Sequence, residues 1–162
     1  MIRHLRWKVV ATNMLLISLV LLLVLAVSAG AASSQNVGVK FWKERSDKES
    51  MANSGIDPDR TATLTRQANG TYTLTLPVMQ VSKLGVTGYL SGLTIGDVTY
   101  DGTLTGDFNK ATAVLTIKNL PASVLTGSDS NKALAVTCSI KMDTILLGDI
   151  STSAKMSIWV ER

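Results

Sequence analysis

Side chains able to carry chemistry are few in this sequence, and what is missing narrows the field first. His4 is the sole histidine among 162 residues, and it precedes a long apolar run near the start of the chain. The rest of the chain therefore offers no imidazole base, no Ser–His dyad and no histidine-ligated metal site. Cys138 is the sole cysteine, so no disulfide can close within the chain. It falls in an alternating apolar pattern, which predicts a small buried hydrophobe rather than a nucleophile. Asp57, Asp59, Asp97, Asp101, Asp107, Asp129, Asp143 and Asp149 are scattered through turn-like stretches. Carboxylates in turns usually cap the backbone, and nothing in their spacing favours a glycosidase pair. Asp57-Pro58-Asp59 lacks the regular further oxygen ligands of a calcium loop. Glycines at 85, 88, 92 and 96 have no following lysine and helix with which to cradle phosphate. Asn69-Gly70-Thr71 is a sequon with meaning only in a glycosylating host. The inventory predicts a protein that is not an enzyme. The remaining donors of interest are soft thioethers, Met51, Met79, Met142 and Met156.

The elements that must position these residues are strands. Ala62 and Leu64 alternate with threonines, Asn69-Gly70 follows, and Tyr72, Leu74 and Leu76 alternate with threonines again. Two period-two runs around Asn-Gly predict a hairpin with a type I′ turn. A second turn is expected at Asp101-Gly102, between residues 97–100 and 103–105. Further strands are expected over residues 85–95, 111–117, 134–142 and 154–160, with one helical turn over residues 121–125. In the last strand Met156, Ile158 and Val160 should face inward, and Lys155, Ser157 and Trp159 outward. Residues 33–39 read as a polar linker into a first strand, and residues 43–60 as a charged surface loop or short helical turn. About eight short strands separated by turn signals predict an all-β antiparallel sandwich or barrel.

The beginning of the chain reads differently. Arg3, Arg6 and Lys8 precede the apolar run MLLISLVLLLVLAV of residues 14–27, and small residues follow. That order predicts a signal helix over residues 1–32, either a cleaved signal peptide or an uncleaved anchor, ahead of one domain over residues 33–162. Removing the leader lowers the sixteen basic residues to thirteen against twelve acids, a net charge of about +1. The domain thus carries no basic excess to suggest nucleic-acid binding. Membrane contact is expected only through the leader, if it is uncleaved.

From residue 50 the order is Ser50-Met51-Ala52-Asn53, then Ala62-Thr63-Leu64, then Asn69-Gly70 and TYTLTL over residues 71–76. This resembles the start of NEAT domains, the haem- and haemoprotein-binding modules of Gram-positive surface proteins. The likeness extends in outline over residues 37–160 and in detail over residues 50–76. It implies an immunoglobulin-like antiparallel β-sandwich with a short helix forming the lip of a haem pocket. It implies further that Ser50 bonds a propionate and that Met51 packs over the porphyrin face. In haem-binding members the last strand begins with an iron-ligating tyrosine, with another tyrosine four residues on. Aligning the last strands sets Ile150 and Ala154 at those positions, and neither can ligate iron. Met51 and Met142 are then the candidate metal ligands, with Met79 and Met156 as alternatives.

The resulting expectation is a non-catalytic binding module, secreted or on the extracytoplasmic cell surface. Its cofactor would be haem, held at Ser50, Met51, Met142 and Ile150. Its partner would be haem, a haemoprotein or another surface protein. The alternative is a structural or adhesive β-sandwich interaction domain with no haem pocket, since a fold alone does not establish a ligand.

Overall fold

A computed structural model describes residues 32–83, 86–143 and 148–162. Of the signal helix expected over residues 1–32, residues 1–31 lie outside the described residues. Residues 32–162 form one compact unit. The strands are β1 (Ser33–Lys43), β2 (Ala62–Arg66), β3 (Tyr72–Pro77), β4 (Val81–Lys83), β5 (Val86–Ile95), β6 (Val98–Thr105), β7 (Val114–Leu120), β8 (Leu134–Met142) and β9 (Ile150–Val160). Among the described residues the helical pieces are short 3-10 turns, the longest being Met51–Gly55.

Each of these strand pairings is antiparallel, and the order β5-β6-β7-β3-β2-β1-β9-β8 returns to β5 through the β5–β8 pairing. Eight strands thus close into a barrel-like sandwich, and β4 adds a short ninth strand beside β5. Closure gives each of these eight strands a neighbour on both sides, so this order has no end strand. The interior is filled by the alternating apolar residues. Leu64, Leu74, Leu76, Leu93, Leu115, Ile117 and Ile158 are fully buried, as are Phe41 and Met156. Each such side chain contributes about 1.5–3 kcal/mol by leaving water.

The hairpin around Asn69-Gly70 is present, but its turn is not type I′. Gln67 N–H donates to Thr71 O at 2.8 Å and Gly70 N–H to Gln67 O at 3.0 Å, which makes a three-residue loop. Gly70 has φ +82°, whereas Asn69 is not left-handed, because its side-chain oxygen accepts from Thr71 N–H and Oγ1 instead. Such a loop combines a type I turn with a left-handed glycine bulge. The turn expected at Asp101-Gly102 lies instead at Gly96-Asp97, between the paired Ile95 and Val98. Gly102 sits inside β6, where a Cβ would lie 2.7 Å from Ser91 O and collide with Leu115. That glycine serves close approach rather than reversal.

Other boundaries also move. Residues 33–39 are not a linker, because β1 starts at Ser33 and pairs with β2 and then β9. β7 starts at Val114, since Ala111 is left-handed and ends a 3-10 turn. β9 begins four residues earlier than expected, at Ile150. Its Ser157 is fully buried, accepting from Trp42 Nε1 at 2.9 Å, while Val160 is exposed. β8 matches its expected span of Leu134–Met142.

Candidate functional site

The lip of the site is built by the Ser50-Met51-Ala52-Asn53 stretch, and each residue has a separate task. Ser50 caps the 3-10 turn, its Oγ accepting from Ala52 N–H at 3.3 Å. Asn53 reaches back to β1, where its Nδ2 donates to Phe41 O and its Oδ1 accepts from Phe41 N–H, both at 2.7 Å. The side chain thereby imitates a paired strand residue and pins the turn to the sheet. Ala52 is buried beneath it. At the far end Met79 N–H donates to Gly55 O at 3.0 Å, and Ile56 bridges to Val78. Met51 stands on this anchored turn with 58% of its surface exposed.

Beneath the lip lies a cavity of about 300 Å³. Its walls come from β5 (Val86, Gly88, Tyr89 and Leu90), β8 (Ile140 and Met142), β9 (Ile150 and Thr152) and Val81 of β4. These strands are adjacent by register: Gly88 faces Met142, Leu90 faces Ile140, and Ile140 faces Ile150. The register shifts between Leu90 and Gly92, where Ser91 donates its hydroxyl to Ser139 O at 3.1 Å. Bulges of this kind re-aim side chains and are common beside functional sites.

Among the described residues the lining holds no charged side chain. Its side-chain heteroatoms are the Ser50, Tyr89 and Thr152 oxygens and the two thioethers, Met51 and Met142. A mainly apolar cavity with a few polar groups is the usual form of a small-molecule site, and this one is at the small end of the range. The lining residues suit a flat apolar ligand whose polar edge stays toward water, with soft neutral sulfur as the donor for any metal it carries. Among the described residues no cluster of three or more histidine, cysteine or acidic side chains could hold a metal ion.

Ser50, Met51, Met142 and Ile150 all line this cavity. Met79 is outside the lining, and Met156 is fully buried in the core opposite Leu134. Ala154, also buried, faces Val136. Sequence reasoning missed Gly88, Tyr89 and Thr152, which reach the cavity only through the long-range β5–β8 and β8–β9 pairings. Tyr89 also packs its ring on Phe108, with centroids 5.2 Å apart. Cys138 is fully buried, and burial pushes its thiol up to about 12, leaving it protonated and unreactive. Asp57 forms an ion pair with Arg60, Oδ2 to Nε at 3.0 Å, and accepts from Asp59 N–H at 3.0 Å, a turn-stabilising arrangement.

No family model and no curated protein matches the sequence. Solved structures do match. One is the NEAT5 domain of IsdX2, a B. anthracis hemophore, in complex with heme. It has a TM-score of 0.52 and 11% identity, over 82% of this chain and 99% of that one. Another is a mutant of the IsdX2 NEAT5 domain in complex with heme, with TM-score 0.52 and 10% identity over 82% of this chain and 98% of that one. At such identity the likeness is one of architecture: the described residues form an antiparallel, barrel-like β-fold similar to that of NEAT domains.

Proposed function

We propose that this protein is a non-catalytic haem-binding module, with the cavity beneath the Met51–Gly55 turn as its site. The observation that carries the reading is convergence. Ser50, Met51, Met142 and Ile150 come from three separated stretches of chain and line one uncharged cavity, in a fold similar to that of haem-bound domains. Apolar walls hold the porphyrin plane, with Met51 covering one face. Ser50 accepts a backbone bond through its oxygen and keeps its O–H to donate to a propionate.

Ile150 opens the last strand, and on this reading it takes the place of the ligating tyrosine of haem-binding NEAT domains, so no phenolate from that position reaches iron. Met51 and Met142 supply thioethers in its stead, and soft neutral sulfur favours ferrous over ferric iron. The same reading makes the domain immunoglobulin-like in type. It makes the chain a Gram-positive exported protein, secreted or held at the cell surface, with residues 1–32 as its signal peptide or anchor. Its partners are haem or a haemoprotein.

Titration of the full chain with ferric and ferrous haem tests this, with a shifted Soret band expected and stronger binding of the ferrous form. Ile150→Tyr should strengthen ferric binding by restoring an anionic oxygen, and Met51→Ala should weaken binding. If neither oxidation state changes the spectrum and Ile150→Tyr creates no change, the reading fails. The domain is then a structural or adhesive module for another surface protein.

A further inference from the structure

We propose that Gly88 is a positioning residue, whose missing side chain is the space in which the Met142 thioether lies, holding that sulfur in the cavity wall. The role of the sulfur toward a ligand rests on the haem reading above.

Gly88 lies inside β5, opposite Val81 of β4 on one side and Met142 of β8 on the other. Its φ is not left-handed, so the backbone conformation there does not require glycine. Glycine inside a strand weakens it and marks close approach of another group. Here the approaching groups belong to β8. A Cβ at residue 88 would lie 2.8 Å from Met142 Sδ, 2.9 Å from Lys141 O and 3.3 Å from Ile140 Cγ2. Gly55, the other glycine of the lining, has no such demand on it, since a Cβ there would meet Val81 Cγ2 at an ordinary 3.9 Å.

Methionine has three freely rotating bonds, so its sulfur has no fixed position unless neighbours pin it. Met142 lies against the bare backbone of Gly88 and is half-buried. Gly88 thus preorganises the Met142 thioether in the cavity wall. A side chain at residue 88 would drive the sulfur out of this position.

Two measurements on the full chain test the proposal. The first is a melting-temperature cycle over wild type, Gly88→Ala, Met142→Ala and the double variant. Met142→Ala should lower the melting temperature alone and raise it in the Gly88→Ala background, because the contact between the new Cβ and the sulfur is removed. If Gly88→Ala does not fold, recovery of folding in the double variant supports the proposal. A double variant no more stable than Gly88→Ala overturns it, and the Lys141 backbone oxygen is then the obstacle.

The second measurement titrates wild type, Gly88→Ala and Met142→Leu with ferrous haem and with metal-free protoporphyrin IX. Both variants should lose about tenfold or more in ferrous haem affinity, with the same change in the ferrous visible bands, and bind the metal-free porphyrin within about threefold of wild type. An unchanged ferrous spectrum in Gly88→Ala or Met142→Leu overturns the positioning role while leaving the haem reading intact. Wild type that binds neither probe removes the haem reading, and the positioning role with it.

Discussion

The Cys138 thiol shows how far a residue's surroundings set its chemistry. It is fully buried, at the β8 position facing Leu93 of β5 and Thr152 of β9. Burial raises its pKa from 9.0 to about 12. The unfolded thiol ionises first as pH rises, so the folded state loses stability between about pH 9 and 12, by at most about 1.4 kcal/mol per pH unit. Below that window the group contributes no slope. Urea midpoints measured at pH 8 and at pH 10 should show this fall, and Cys138→Ala should flatten it. A thiol reagent should label Cys138 slowly in the native state and fast in denaturant; rapid native labelling would mean that the thiol is accessible. Burial of this residue was legible in the alternation of Leu134, Val136, Cys138, Ile140 and Met142. The role of Gly88 was not, because nothing local to Gly88 names the strand that packs on it.

At the scale of elements, the short turns are held by side chains reading the backbone. Asn53 is the clearest case, with both of its amide groups spent on Phe41. Asn53→Ala should leave the Phe41 N–H and C=O without these partners and cost about 1–3 kcal/mol. Amide exchange of residues 50–56 should then accelerate ahead of exchange in β1. A variant with unchanged exchange at the lip would show that the Asn53 bonds do not hold it. Gly70 is a second case, since its φ of +82° is left-handed. Gly70→Val should destabilise by about 1–3 kcal/mol, because a β-branched residue resists that region. An unchanged melting temperature would argue against the left-handed loop. The hairpin was legible as two alternating runs around Asn-Gly. Its turn type was not, because Asn69 used its side chain for Thr71 rather than its own backbone for a left-handed turn.

Taken whole, the molecule depends on ring closure. The β5–β8 pairing joins residues 88–94 to residues 137–142 and completes the barrel-like sandwich. Leu93 lies at that seam, fully buried opposite Cys138. Leu93→Ala should cost about 2–5 kcal/mol, as a cavity opened in a close-packed core does. The loss should appear as one cooperative transition by both far-UV circular dichroism and Cys138 labelling. Separate transitions for the two probes would mean that the seam opens independently of the rest. The cavity of the candidate site is walled by the same seam, so its shape and the closure of the fold are one property.

Local pattern determined that residues 33–162 are built of short strands, about eight expected against nine described, and that β8 runs from Leu134 to Met142 with Cys138 inward. Strand periodicity is written into neighbouring residues, and side chains two apart share a face whatever the rest of the fold does. The Ser50-Met51-Ala52-Asn53 stretch likewise marked the turn at Met51–Gly55. Tertiary structure alone decided that Gly102 is a strand residue, that Ser157 is buried, and that β1 begins at Ser33. It alone brought Gly88, Tyr89 and Thr152 to the cavity. Each of these depends on a partner far away in sequence: Leu115 over Gly102, Trp42 on Ser157, Arg66 beside Ser33 and Met142 over Gly88. Which strand becomes a neighbour is set by closing the sheet on itself, and no local pattern encodes that choice.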